Sequence, residues 1–298
     1  MFNRFIVATD LCPASFAMVH CLGNLKEYGA RHCLLLQCLS AQEVDSVFYA
    51  YDTKILNSIL IRQREILKNQ GFSVETRIVS GDTRQQLNQI ATRENYSLFV
   101  VGTREYSLAG ETFLGGIAND VMHHACIPVL RLLVEMRTGG NEQACGSYSF
   151  NGHILFPTDF SEHSAQAFLF VEKLVADGAK RVTLFHVQKT RKNQLPEVQA
   201  NEADDPDLHR LMEMRERLLR YGKAEVFVEI RAGSPSPEIL RLIQEHEVQL
   251  VVMAPHSRNR LEELFVGSVS RAVARHAEAG VLFIPPMENR QKTWFHCH

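Results

Sequence analysis

The chain has 298 residues, 45% of them hydrophobic and 22% charged, which is enough apolar material for two packed cores and excludes a disordered chain. Its formal net charge of −2 gives no overall attraction for nucleic acid or for an anionic membrane. No uninterrupted apolar run reaches the length of a membrane span, and "MFNRFIVATD" lacks the long apolar core and cleavage site of a secretory signal, so the chain reads as soluble and cytoplasmic.

In chain order, the first half alternates β-rich runs near 4–9, 33–39, 73–79, 97–102 and 128–134 with amphipathic helical segments near 13–28, 53–70, 83–94 and 115–126. Runs such as "LFVVG" are apolar throughout, as a strand buried on both faces must be. A stretch rich in Gly, Ser and Asn, "MRTGGNEQACGSYSFN" at 136–151, then reads as a linker. After it the landmarks return. "FIVATD" at 5–10 reappears as "ILFPTD" at 154–159, "LFVVG" is answered by "LVVMA", and "FLGGIANDVMHHACIPVLRL" by "FVGSVSRAVARHAEAGVLFI", pairing Gly115 with Gly267. The chain is a tandem duplication. It is expected to be α/β, with two repeated doubly wound domains at 1–135 and 152–286, each a five-stranded parallel sheet flanked by helices, and a tail at 287–298. An irregular stretch at 193–207 reads as a mobile loop before a helix.

A doubly wound sheet takes ligands at the carboxyl ends of its strands, near the switch point. There the first strand of each half ends on Thr9-Asp10 or Thr158-Asp159. The fourth ends at Gly102, or at Met253 and Ala254, and the loop that follows runs to Gly115-Gly116 or Gly267-Ser268 at the start of a helix. Glycine at a helix start lets backbone amides approach an anion, so each half has the parts of a phosphate cradle. In the second half the cradle would comprise the amides of Gly267, Ser268, Val269 and Ser270, the hydroxyls of Ser268 and Ser270, and Arg258 for charge. Each Asp also has a plain structural reading as a cap on the helix that follows.

The seven cysteines form no C-x-x-C pair, and their odd number argues against a disulfide framework; most sit in apolar runs such as "HCLLLQCL" and read as small buried hydrophobes. His296, Cys297 and His298 lack the separated spacing of a structural zinc site, and no metal ligand set is expected. His123, His124 and His276 fall near helix ends, where imidazolium complements the dipole. His186 ends a buried strand and reads as structural, and His256 lies in the candidate loop, either solvated or touching phosphate. No Ser-His-Asp order with its elbow, H-E-x-x-H pair or Walker motif is present, and no catalytic residue is expected.

The segments "FPTDFSEHSAQAF", "TLFHV", "GSPSPEIL", "LVVMAPHS" and "FVGSVSRAVARHA", with weaker counterparts in the first half, resemble the universal stress proteins in their tandem form over nearly the whole chain. Nucleotide-binding members of that family carry G-x2-G-x9-G-(S/T). On the first half its positions fall on Gly102, Glu105, Gly115 and Gly116; on the second they fall on Ala254, Ser257, Gly267 and Ser268. Glu105 would carry a negative charge toward phosphate, whereas Ala254 and Ser257 add only small groups, so the second half is the better site. The resemblance further implies adenine against the end of the second strand, at Cys38 or Val187, with Asp10 or Asp159 beside the adenosine. It also implies that the halves pair through "IPVLRLL" and "GVLFIPP", and that a further homodimer or a protein partner can form.

The leading expectation is a non-catalytic stress-response protein that binds ATP, ADP or AMP, with or without magnesium, most strongly in the second domain. Two others stand beside it: a scaffold with the same fold that has lost nucleotide binding, and a slow ATP hydrolase. No residue pair looks like a general base beside a positioned water, which weighs against the last.

Overall fold

The computed structural model describes residues 1–9, 13–39, 49–80, 83–106, 111–113, 116–136, 143–145, 148–188, 205–255 and 267–286. They form two compact units, Met1–Gly146 and Ser147–Pro286.

In unit 1, β1 (Arg4–Ala8), β2 (His32–Leu39), β3 (Ser73–Ser80), β4 (Leu98–Tyr106) and β6 (Val129–Met136) form a parallel sheet in the order β3-β2-β1-β4-β6. Helices α1 (Pro13–His20), α2 (Tyr49–Asn69), α3 (Thr83–Arg93) and α4 (Gly116–His124) alternate with the strands. Strand β2 reads "HCLLLQCL", and all but His32 are buried, because helices cover both faces of such a sheet. Two short strands extend it: β5 (Glu111–Phe113) folds back antiparallel on β4, and β7 (Gln143–Cys145) does the same on β6.

Unit 2 repeats the plan without these additions among its described residues. It runs β8 (His153–Pro157), α5 (Glu162–Ala176), β9 (Arg181–Gln188), α6 (Pro206–Tyr221), β10 (Glu225–Ala232), α7 (Pro235–Glu245), β11 (Leu250–Met253), α8 (Ser268–His276) and β12 (Gly280–Phe283). The sheet order is β10-β9-β8-β11-β12, all parallel. Helix starts carry their expected chemistry: Ser161 Oγ accepts from Ser164 N at 3.2 Å, and Asp205 caps α6 with Pro206 next to it. Phe156 packs on Phe168 with ring centroids 5.5 Å apart, joining β8 to α5.

Three expectations are corrected. The helix read over 13–28 stops at His20 and continues as a 3-10 turn over Leu22–Tyr28. Gly23 and Asn24 are poor helix formers, and Gln70 Nε2 donates to the carbonyls of Val19 (2.8 Å) and His20 (3.0 Å) that a longer helix would have used. Strand β4 does not end at Gly102 but runs to Tyr106, because β5 gives its extension a partner in the register Glu105↔Thr112. Cys21 is disulfide-bonded, while Cys33, Cys38 and Cys126 are unbridged thiols; an odd count argues against a framework but leaves room for a single bridge. Of the loop predicted over 193–207, residues 193–204 lie outside the described residues and 205–207 belong to the cap and first turn of α6; the tail at 287–298 also lies outside them, and no helix among those described is long and apolar enough to cross a membrane.

Candidate functional site

In unit 2, β8 delivers Thr158 and Asp159 to the switch point, where the neighbouring strands are β9 and β11. Thr158 is buried and fully engaged. Its N–H donates to Phe185 O (2.8 Å), its hydroxyl pairs with Ser164 Oγ (2.8 Å) and accepts from Phe160 N (3.0 Å), and its carbonyl accepts from His186 Nδ1 (2.8 Å). A carbonyl can only accept, so Nδ1 carries the imidazole proton and Nε2 is left 3.6 Å from Asp207 Oδ2. His186 is thus structural, as its place at a strand end suggests, and it ties α6 to the end of β8. Asp159 is not the cap that its plain structural reading offered: Ser161 caps α5, and Asp159 Oδ1 accepts from Ser161 N at 3.0 Å in the turn before it.

Phe160 follows with φ of 58°, a left-handed conformation that a bulky side chain adopts only where its surroundings hold it. Its ring lies 4.6 Å from the His186 imidazole, and the Arg210 guanidinium sits 5.3 Å from its centroid. The sequence reading missed this stack. The signal was present as an aromatic residue directly after Thr-Asp, but nothing in spacing alone pairs it with a histidine of the second strand.

The wall opposite comes from β11 and α8. Met253 ends β11 and is buried, as is Val187 near the end of β9. Gly267 N donates to Pro255 O at 2.8 Å and Ser270 Oγ donates to Ala254 O at 3.1 Å, so the start of α8 is tied to the residues that follow β11. Gly267 is the N-cap of α8 and supplies no side chain to satisfy the first-turn amides of Ser268, Val269 and Ser270. Ser268 is exposed there. Ser270 is not a phosphate donor as expected: it is buried, and its one hydroxyl proton is spent on Ala254. Ala254 has negative φ, so the glycine of the family motif is not needed there for backbone conformation. His256, Ser257 and Arg258 lie outside the described residues.

Unit 1 arranges the same positions differently. Thr9 N donates to Leu36 O (3.0 Å), and its hydroxyl donates to Gln63 Oε1 (3.2 Å) on α2. Gln63 is fully buried between the core positions Leu60 and Leu67, a polar residue on an apolar helix face that helical periodicity exposes in retrospect. Cys38 is buried at the end of β2, and desolvation, with the Asp120 carboxylate adding to it, pushes its thiol up to about 12, so it is inert. Gly102 is not at a strand end. It lies within the β4 ladder opposite Leu132, and a Cβ on it would meet Met18 Sδ at 3.2 Å, so α1 packs on the surface that phosphate would approach. Gly116 opens α4, while Asp10 and Gly115 lie outside the described residues.

The sequence profile of the universal stress protein family matches residues 1–132 and 151–285. Universal stress protein MJ0577 of Methanocaldococcus jannaschii is 25% identical over 150 residues, covering 44% of this chain and 93% of that protein. A universal stress protein of Archaeoglobus fulgidus, 21% identical, superimposes with a TM-score of 0.74 over 96% of this chain and 99% of its own. A second solved structure, a universal stress protein of Pseudomonas aeruginosa at 15% identity, gives 0.55 over 96% and 94%. With both of its halves matched, the chain belongs to the universal stress protein family.

Proposed function

We propose that the chain is a non-catalytic stress-response protein that binds one adenine nucleotide, ATP, ADP or AMP, in unit 2. One member of the family has been solved in complex with cAMP. The observation that carries the reading is the α8 N-terminus. Its N-cap residue, Gly267, makes no side-chain cap hydrogen bond, and Gly267 N and Ser270 Oγ tie the helix start to Pro255 O and Ala254 O just past the end of β11. The first-turn amides would hold phosphate, Asp159 would take a hydroxyl of the ribose, and the end of β9 at Val187 would meet the base through its backbone. Magnesium would act only as a counter-charge to the phosphates, since no group of three potential metal-ligating side chains occurs among the described residues.

Calorimetric titration with ATP, ADP and AMP, with and without magnesium, tests this after bound nucleotide has been removed. One site per chain is expected. Gly267→Asp, which sets a carboxylate against the helix N-terminus, should abolish nucleotide-induced thermal stabilisation while leaving the unliganded melting temperature within about 2 °C. Unchanged nucleotide shifts in that variant would remove the site from α8. The engaged hydroxyl of Ser270 favours the second reading, a scaffold without nucleotide, and an empty preparation that titrates with nothing would establish it.

A further inference from the structure

Strand β10 is the edge of the unit 2 sheet, with β9 on one side and no strand among the described residues on the other. The residues around that edge are apolar to an unusual degree. Among the described residues the large exposed hydrophobics are Ile61, Met212, Leu219, Tyr221 and Phe227, and all but Ile61 lie on α6 or β10. Phe227 is 50% exposed on the strand itself.

The duplication supplies an internal control. Strand pairing matches Phe227, opposite Thr183, to Glu75, opposite Leu34. The buried pairs Leu60/Leu67 and Leu211/Leu218 align the helices, so that Leu219 matches Lys68 and Tyr221 matches Gln70. Unit 1 is polar at these three positions and unit 2 is apolar, so the fold does not require apolar residues at 219, 221 and 227, whereas Met212 matches the exposed and equally apolar Ile61.

The backbone direction is also settled. Glu225 N donates to Lys180 O and Gly233 N donates to Gln188 O, so odd-numbered amides of β10 face β9 and those of Val226, Val228 and Ile230 face outward. Arg215 Nε reaches Val226 O at 3.0 Å, which confirms the direction and sets the helical stripe Met212–Arg215–Leu219 over the outer edge.

From these features we infer that β10 pairs antiparallel with β10 of a second copy of this chain, about a two-fold axis at Val228. That register sets Glu225 opposite the second copy's Arg231, and Phe227 opposite its Glu229, with no like charges facing. Within its own unit the Arg231 guanidinium is fixed by Glu229 and Glu245, each at 2.6 Å, with Glu238 at 3.6 Å, so the second copy's Glu225 would share a cation that is already paired. A second copy is the occupant that this pattern favours, because one strand sequence then supplies both complementary charges and both apolar flanks.

The test is sedimentation of the full chain over a wide concentration series, with amide hydrogen exchange. The wild type should form a species of twice the 33.8 kDa chain mass. Phe227→Glu with Leu219→Lys, which installs the residues unit 1 carries, should be monomeric with unchanged circular dichroism, whereas Ile61→Lys should remain dimeric. Exchange at Val228 and Ile230 should be about tenfold or more slower in the dimer than in the monomeric variant. A wild type that is monomeric throughout overturns the proposal, as does a dimer that survives the double substitution or leaves those two amides unprotected.

Discussion

His153 shows how much one buried side chain couples to solution conditions. Its Nδ1–H donates to His246 O at 3.0 Å, and its Nε2 pairs with the Thr183 hydroxyl at 2.8 Å, binding β8 to β9 and to the end of α7. Burial lowers its pKa below the ordinary 6.5, since the charged form loses its hydration and the Thr183 contact suits a neutral acceptor. The unfolded chain therefore takes up the proton at higher pH than the folded chain does. The stabilisation from neutral burial is complete above the unfolded pKa and is lost as pH falls below it. Urea midpoints should drop between about pH 7.5 and about pH 5.5 in the wild type, and His153→Asn, which keeps a donor toward His246, should drop less. Equal slopes for the two proteins would show that other groups carry the effect. Nothing in the sequence around His153 announces this role, because both partners are remote in the chain.

At the scale of elements, the sequence was legible wherever a segment is governed by its own periodicity and caps. The strands "RFIVA", "LFVVG" and "LVVM" and the helices after Ser161 and Asp205 stand within a few residues of their predicted places. It was illegible wherever a distant group decides. Gln70, half a unit away, stops α1, and β5 decides how far β4 runs. Gly222 is a similar case, with extended backbone at φ −170° and no conformational need for glycine. What it provides is room, since a Cβ would lie 2.7 Å from Val175 O on α5. Gly222→Ala should therefore lower stability by about 1–3 kcal/mol, read as a fall in the denaturation midpoint at unchanged m-value. A neutral result would show that the turn from α6 to β10 yields at no cost.

Over the whole molecule, the two halves share a plan and differ at their ligand ends. Unit 2 brings Thr158-Asp159, the end of β9 and the Gly267 helix start to the same side, and unit 1 does so with Thr9, the end of β2 and Gly116, and that much is readable from the repeat. Which half offers the better candidate site is only partly readable. The sequence ranks the halves by Glu105, whereas the structure separates them by how far the fourth strand runs: β11 stops at Met253, but β4 continues through Gly102 to pair with β5. Side chains then complete the difference, with Gln63 held by Thr9 in one half and Phe160 stacked on His186 in the other.

The β4–β5 pairing has a consequence for any attempt to alter unit 1. With the residues after Gly102 enlisted in a ladder, Glu105 opposite Thr112, replacing one side chain there does not redirect the backbone. Glu105→Gly in a chain already carrying Gly267→Asp should accordingly leave nucleotide titrations flat. Three separate features stand at this end of unit 1, the β4–β5 ladder, the Met18 side chain against Gly102 and a glutamate at position 105, so that a change of any one leaves the other two in place.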